Sequence, residues 1–247
     1  MSAALGNAPG AVVSRGMSFF ITGTDTGVGK TRVTAGILAA ARDAGLKAAG
    51  MKPVASGAER REGGLVSEDA LLLAAASGQS TAYEDLNPFC LLEPISPHIA
   101  ADKANIRIDI DKIAEIARRL ALAHEILLIE GAGGWYTPLA AEVSMANLAQ
   151  ALAVPVVLVV GMRLGCLNHA RLSCEAIEWS GCGFAGWIAS RVDPQFAAYE
   201  ENLATLTRVL RAPPLGVLPH ERERKRDALH LREALLRLRS ASELGIT

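Results

Sequence analysis

Residues 19–31 read Phe19-Phe20-Ile21-Thr22-Gly23-Thr24-Asp25-Thr26-Gly27-Val28-Gly29-Lys30-Thr31. An aromatic and β-branched run enters a glycine-rich turn, and the turn opens a helical pattern that runs to Ala44 and stops at Gly45. Backbone N–H groups of such a turn, together with the following helix N-terminus, make a concave anion site. Strand, glycine turn, Lys-Thr and helix stand in the order of a phosphate-binding loop. Lys30 is expected to reach the β- and γ-phosphates of ATP, and the Thr31 hydroxyl to ligate Mg²⁺. Asp25, Thr26, Gly27, Val28 and Gly29 complete the expected nucleotide contacts. One departure stands out: Gly23 comes one residue too early for the usual spacing, which would place glycine at Thr24.

Outward from this loop, short aliphatic runs alternate with helical patterns. Lys47–Pro53 reads as a second strand. Ser67 is placed to cap a helix over 68–76 that ends at Gly78, and Asp109 or Asp111 to cap the next, through Ala123. Ile126–Ile129 and Pro155–Val160 are apolar throughout, which predicts strands covered on both faces. A helix over 168–180, a strand over 185–189, a helix over 196–211, a strand over 215–218 and a helix over 227–239 follow. Repeated βα units predict a doubly wound, mostly parallel α/β sheet flanked by helices, of the P-loop NTPase type. Residues 1–16 read as a flexible N-terminal extension without the pattern of a signal peptide, and 17–247 as one domain.

Ligands of such sheets bind at the carboxyl ends of strands, and two further groups of residues fall there. Lys52-Pro53-Val54-Ala55-Ser56-Gly57 follows the second strand, so Lys52 faces the same crevice as the loop. A snorkelling surface lysine is the competing reading. Glu130-Gly131-Ala132-Gly133-Gly134 follows the strand 126–129. Glu130 stands where a magnesium-binding acid beside a phosphate loop is expected, and Asp69 opens a helix one connection after Lys52. Thr31, Asp69 and Glu130 form a candidate Mg²⁺ set, because Mg²⁺ takes oxygen ligands and usually one or two carboxylates. The glycines let backbone amides approach a substrate.

Composition narrows the class. The 247 residues carry a formal net charge of −1, which points to neither nucleic acid nor an anionic membrane as partner. Cys90, Cys166, Cys174 and Cys182 show no metal-ligand spacing and read as reduced thiols of a cytoplasmic protein. No apolar run approaches the roughly 20 residues that span a bilayer.

These segments together resemble the dethiobiotin synthetase family of homodimeric, ATP-dependent carboligases. The loop is similar to its T-D-T-x-V-G-K-T, offset glycine included. Lys52–Gly57 matches K-P-V-A-S-G, Glu93–His98 resembles E-P-x-S-P-H, Glu130–Gly134 matches E-G-A-G-G, Leu164–His169 resembles L-G-C-I-N-H and Gly186–Ala189 resembles G-W-V-A. The likeness runs from about Met17 to Pro219 and fades in the charged stretch 220–227. It implies that 7,8-diaminononanoate and CO₂ form a carbamate that ATP phosphorylates, and that ring closure then yields dethiobiotin. It implies Lys30 and Lys52 as catalytic groups, with Thr26, Lys52, Ser56, Gly133 and Gly134 on the substrate. It also implies that the Cys166, Leu167 and Asn168 amides receive the substrate carboxylate from the neighbouring subunit of a homodimer. His98 and His169 are expected in structural or supporting roles. After G-W-V-A the family carries an adenine-reading asparagine. Here Ser190 and Arg191 follow, with Arg191 a candidate to stack on the base.

Two other readings share the fold: a cobyrinate-diamide-type ligase and a partition or septum-positioning switch ATPase. The first normally needs a glutamine-hydrolysing domain. The second carries lysine where Thr24 stands and often ends in a membrane-binding amphipathic helix, which the basic residues 227–239 resemble.

Overall fold

The computed structural model describes residues 16–78, 81–220 and 226–243. The extension expected over 1–16 lies outside these residues except for Gly16, as does 221–225 of the charged stretch. The first half of the chain contains β1 (Met17–Gly23), α1 (Lys30–Asp43), β2 (Ala48–Met51), β3 (Val54–Ser56), β4 (Glu59–Arg61), β5 (Gly64–Val66), α2 (Glu68–Ser77), α3 (Tyr83–Leu86), β6 (Phe89–Leu91), α4 (Pro97–Lys103) and α5 (Ile110–Ala123). The second half contains β7 (Ile126–Glu130), β8 (Pro138–Ala140), β9 (Val143–Ser144), α6 (Met145–Leu152), β10 (Val156–Gly161), α7 (Cys166–Trp179), β11 (Phe184–Ser190), α8 (Tyr199–Val209), β12 (Gly216–Leu218) and α9 (Asp227–Glu243).

Six strands form one sheet in the order β12-β11-β10-β1-β7-β2, and every pairing in it is parallel. Successive side chains of a strand point to opposite faces, and β1 feeds two cores accordingly. Phe19 and Ile21 pack with Val33 and Ile37 of α1, Leu73 of α2 and Leu231 and Leu235 of α9. Phe20 packs instead with Ile113 of α5, Leu148 of α6 and Ile177 of α7. The expected doubly wound architecture is therefore present. β1 lies between β7 and β10, so the chain winds away from it in both directions and leaves a crevice at its carboxyl end.

Local signals act where expected. Ser67 Oγ accepts from Ala70 N–H at the start of α2, and Gly78 ends that helix with φ 66°. Asp109, not Asp111, caps α5, accepting from the N–H groups of Asp111 and Lys112. The second strand is shorter than 47–53 and ends at Met51. Beyond it, the chain forms small ladders that the sequence reading did not include: β3 with β6, the β4–β5 hairpin and the β8–β9 pair. Strands of two or three residues carry no usable period, and β4 is charged and exposed throughout. The terminal helix buries Leu231, Ala234, Leu235 and Leu238 in the core of α1. That apolar face is spent inside the protein. No helix among the described residues is long and apolar enough to cross a membrane.

Candidate active site

The phosphate loop joins β1 to α1. Val28 is buried over the end of β1, where a Cβ on Gly23 would come 2.7 Å from Val28 Cγ2. The early glycine therefore makes room for the loop to fold back on its own strand. Gly29, the N-cap of α1, takes φ 88° in the left-handed region, which glycine enters without steric cost. A Cβ there would also lie 2.7 Å from Ser190 Oγ. Lys30 Nζ reaches across the loop to the Asp25 carbonyl at 2.9 Å. Burial pushes the Lys30 ammonium down to about 8, with the positive charge of Lys52 adding to the effect.

Lys52 follows β2 directly, and β2 pairs with β7 so that Met51 stands beside Ile129. The next residues, Lys52 and Glu130, consequently meet. Lys52 Nζ lies 2.6 Å from Glu130 Oε1 and 2.9 Å from Asp69 Oδ2. Thr31 Oγ1 lies 2.9 Å from Asp69 Oδ1 and 2.8 Å from Glu130 Oε1. A hydroxyl has one proton and donates to one carboxylate at a time. Burial pulls the Lys52 ammonium down, but Glu130 and Asp69 outweigh it and hold Lys52 above its ordinary value. Burial pushes Asp69 up, but Lys52 and the Thr31 hydroxyl outweigh that and hold its carboxyl low.

The snorkelling reading of Lys52 fails, because the residue is only 5% exposed. Glu130 is completely buried, and its Oε2 has no hydrogen-bond partner among the described residues. The Thr31 hydroxyl and the Asp69 and Glu130 carboxylates, with Glu130 Oε2 left unpartnered, are oxygen donors of the kind Mg²⁺ takes beside phosphate and water oxygens.

The other expected residues have the following local settings. Ser56 is half-buried at the end of β3. Gly133 takes φ 62°, and Gly134 N–H already donates to Thr137 Oγ1 at 2.8 Å. Gly165 begins α7 with φ 95°, and no side chain caps that helix. Cys166 N–H is engaged by the Arg163 carbonyl at 3.0 Å. Ser190, buried, ends β11 beside Gly29. The Arg191 guanidinium lies 4.9 Å from the centroid of the Tyr199 ring and so already has an aromatic partner within the chain. His98 is half-buried and His169 exposed. One residue absent from the sequence reading is Arg163, whose guanidinium pairs with Asp25 Oδ2 at 2.6 Å and ties the end of β10 to the loop. A basic residue just past an apolar strand was the available signal.

A family model described as an AAA domain matches residues 17–227. The chain is 50% identical over 207 residues to the ATP-dependent dethiobiotin synthetase BioD of Pseudomonas aeruginosa, covering 83% of this chain and 91% of that one. It is 50% identical over 202 residues to the Cellvibrio japonicus protein of the same name, covering 82% and 89%. Among solved structures, the septum site-determining protein MinD of Pyrococcus horikoshii, complexed with Mg-ADP, superposes with TM-score 0.58 at 16% identity, covering 92% of this chain and 98% of that one. A ParA family ATPase from Chlorobium tepidum gives TM-score 0.53 at 12% identity, covering 94% and 95%. The last two likenesses are of fold alone. Sequence identity and the assembled loop, lysine and acid together place the protein in the ATP-dependent dethiobiotin synthetase family.

Proposed function

We propose that this protein converts 7,8-diaminononanoate, CO₂ and ATP into dethiobiotin, ADP and inorganic phosphate. The observation that carries the reading is the meeting of Lys52, Glu130, Asp69 and Thr31 beside the phosphate loop, in a chain half identical to named synthetases. One substrate amine adds CO₂ and loses a proton to become a carbamate. A carbamate oxygen then attacks the γ-phosphorus of ATP, and the bond to the β–γ bridging oxygen breaks to release ADP. The second amine attacks the carbonyl carbon of the mixed anhydride. Phosphate leaves, and the nitrogen loses its proton as the ring closes.

Positioning and charge neutralisation carry most of such a transfer. Lys30 and Lys52 flank the transferring phosphoryl group, and Lys52 also holds the carbamate that Ser56 orients. Thr26 lies at the rim of the loop beside the reacting groups. Thr31, Asp69 and Glu130 would hold Mg²⁺, which when bound neutralises charge on the phosphate oxygens. Gly133 and Gly134 bring backbone close to the diamine.

A second copy of the chain completes the site in this reading. Substrate carboxylate docks at the N-terminus of the partner's α7, at the Cys166, Leu167 and Asn168 amides, of which that of Cys166 also donates to the Arg163 carbonyl at 3.0 Å. The 92% exposure of Leu164, immediately before that helix, supports a partner surface there. Residues 17–247 would form one P-loop α/β domain, at work in the cytoplasm, where four free thiols persist. Protein supplied with ATP, Mg²⁺, the diamine and labelled bicarbonate should give labelled dethiobiotin and ADP in equal amounts. ATP turnover indifferent to the diamine would favour a switch ATPase instead.

A further inference from the structure

Tyr83 and Asn87 close a circuit of hydrogen bonds around two charged residues of the site. Asn87 is buried, and its Nδ2 donates to the Lys52 carbonyl at 2.6 Å. Lys52 N–H donates to the Leu86 carbonyl at 2.7 Å, so residues 86 and 87 hold both polar atoms of the Lys52 backbone. Asn87 Oδ1 accepts from the Tyr83 hydroxyl at 3.0 Å, and the same hydroxyl oxygen accepts from Ser67 N–H at 2.7 Å. Ser67 caps α2, and Asp69 is the second residue of that helix. Asp69 Oδ2 then returns to Lys52 Nζ at 2.9 Å.

Every polar atom in the circuit is used in the sense its chemistry allows. The Asn87 amide must turn Nδ2 to the Lys52 carbonyl, because Oδ1 there would face another acceptor. Burial pushes the Tyr83 hydroxyl up to about 12, so it remains protonated and able to donate across neutral pH. The sheet alone cannot set this geometry. Lys52 leaves a core strand, whereas Asp69 begins a helix within the long connection between β2 and β7, and its side chain is 42% exposed. Thr31 Oγ1 holds Asp69 Oδ1 at 2.9 Å from the side of α1, and the circuit ties the backbones of Lys52 and the start of α2 from the other.

We propose that Tyr83 and Asn87 are positioning residues that set the distance from Lys52 to Asp69 and so hold the lysine in its place for phosphoryl transfer. The inference rests on the roles proposed above for Lys52 and Asp69. Tyr83→Phe, which keeps the ring and removes the hydroxyl, tests it in the full-length protein. It should lower kcat about tenfold while KM for ATP moves less than about twofold, the scale expected when a buried hydrogen bond is left half made. In an Asp69→Asn background the same change should cost little more, because both variants disrupt one arrangement. Asn87→Leu should lower kcat in the same way. An unchanged kcat in Tyr83→Phe, or losses that multiply independently with Asp69→Asn, would overturn the inference while leaving the site reading intact. If Asp69→Asn by itself alters neither turnover nor the magnesium requirement, the site reading fails first and the inference fails with it.

Discussion

Lys52 Nζ lies 2.6 Å from Glu130 Oε1, although 78 residues separate the two in sequence. Adjacent parallel strands bring them together, because Met51 of β2 stands beside Ile129 of β7 and each charged residue comes next in its strand direction. Glu130 is fully buried and Lys52 nearly so, which makes each the other's main compensation. Such a pair is retained at a cost in desolvation, and breaking it leaves an uncompensated charge. Its position beside the phosphate loop explains why a protein would keep it.

Lys52→Ala should therefore lose mostly rate. Removing a donor aimed at a developing charge costs about 2.7–4 kcal/mol, or roughly 10²–10³ in kcat. ATP affinity should survive, since the phosphate loop is untouched. Steady-state kinetics and equilibrium nucleotide binding separate the two; a large loss of affinity with unimpaired turnover would remove Lys52 from the chemistry.

Asp69→Asn and Glu130→Gln should each raise the magnesium concentration needed for half-maximal rate, because each replaces an anionic oxygen donor by a neutral one. Glu130→Gln also leaves Lys52 buried with one carboxylate fewer and should lower the thermal midpoint. Magnesium titrations identical to the parent protein's in both variants would rule out this ligand set.

Ser190 stands where the family's adenine-reading asparagine is expected. Serine has one hydroxyl in place of an amide's donor and acceptor. A lost neutral bond costs only about 0.5–1.5 kcal/mol, so CTP and GTP should support turnover within roughly tenfold of ATP. The Arg191 guanidinium lies 4.9 Å from the Tyr199 ring centroid and donates to the Pro194 carbonyl at 3.2 Å. Comparing kcat/KM for the three nucleotides in the parent and in Ser190→Asn decides the point. Rejection of CTP and GTP by about a thousandfold would mean that other groups read the base.

Arg32 clamps the phosphate-loop helix to the end of the chain. Its Nε and Nη2 grip Asp227 at 2.7 and 2.5 Å, and Nη1 donates to the Pro219 carbonyl at 2.8 Å. Asp227→Ala should destabilise the fold by about 2–3 kcal/mol, which corresponds to roughly 4–12 °C in Tm. An unchanged melting curve would show that the pair contributes nothing net.

Burial, with Glu178 and Glu175 nearby, pushes the Cys174 thiol up to about 11. Its thiolate is therefore present at only about one part in a thousand at pH 8. Alkylation of Cys174 in the native protein should be far slower than in the unfolded chain, and should speed up as pH rises toward 11. Mass spectrometry showing rapid labelling at pH 8 would contradict this.

Part of the candidate site stands out in the sequence itself. A glycine turn between an apolar strand and a Lys-Thr helix start identifies the phosphate loop, because only that order puts free amides, an ammonium and a hydroxyl at one strand end. Lys52 and Glu130 were legible for the same reason, each following an apolar run that had to be a strand. Caps at Ser67 and Asp109 are local hydrogen bonds and so are written locally. Tertiary structure alone decided who meets whom. Which strands are neighbours depends on how helices cover both faces of the sheet, and that order, β2 beside β7 beside β1, places Lys52 against Glu130. The Arg163 bridge to Asp25, the Arg32 clamp and the Tyr83–Asn87 circuit join residues that share no periodic pattern. Side-chain hydrogen bonds across long sequence separations leave no periodic trace in the chain and exist only once the packed core has fixed the backbone.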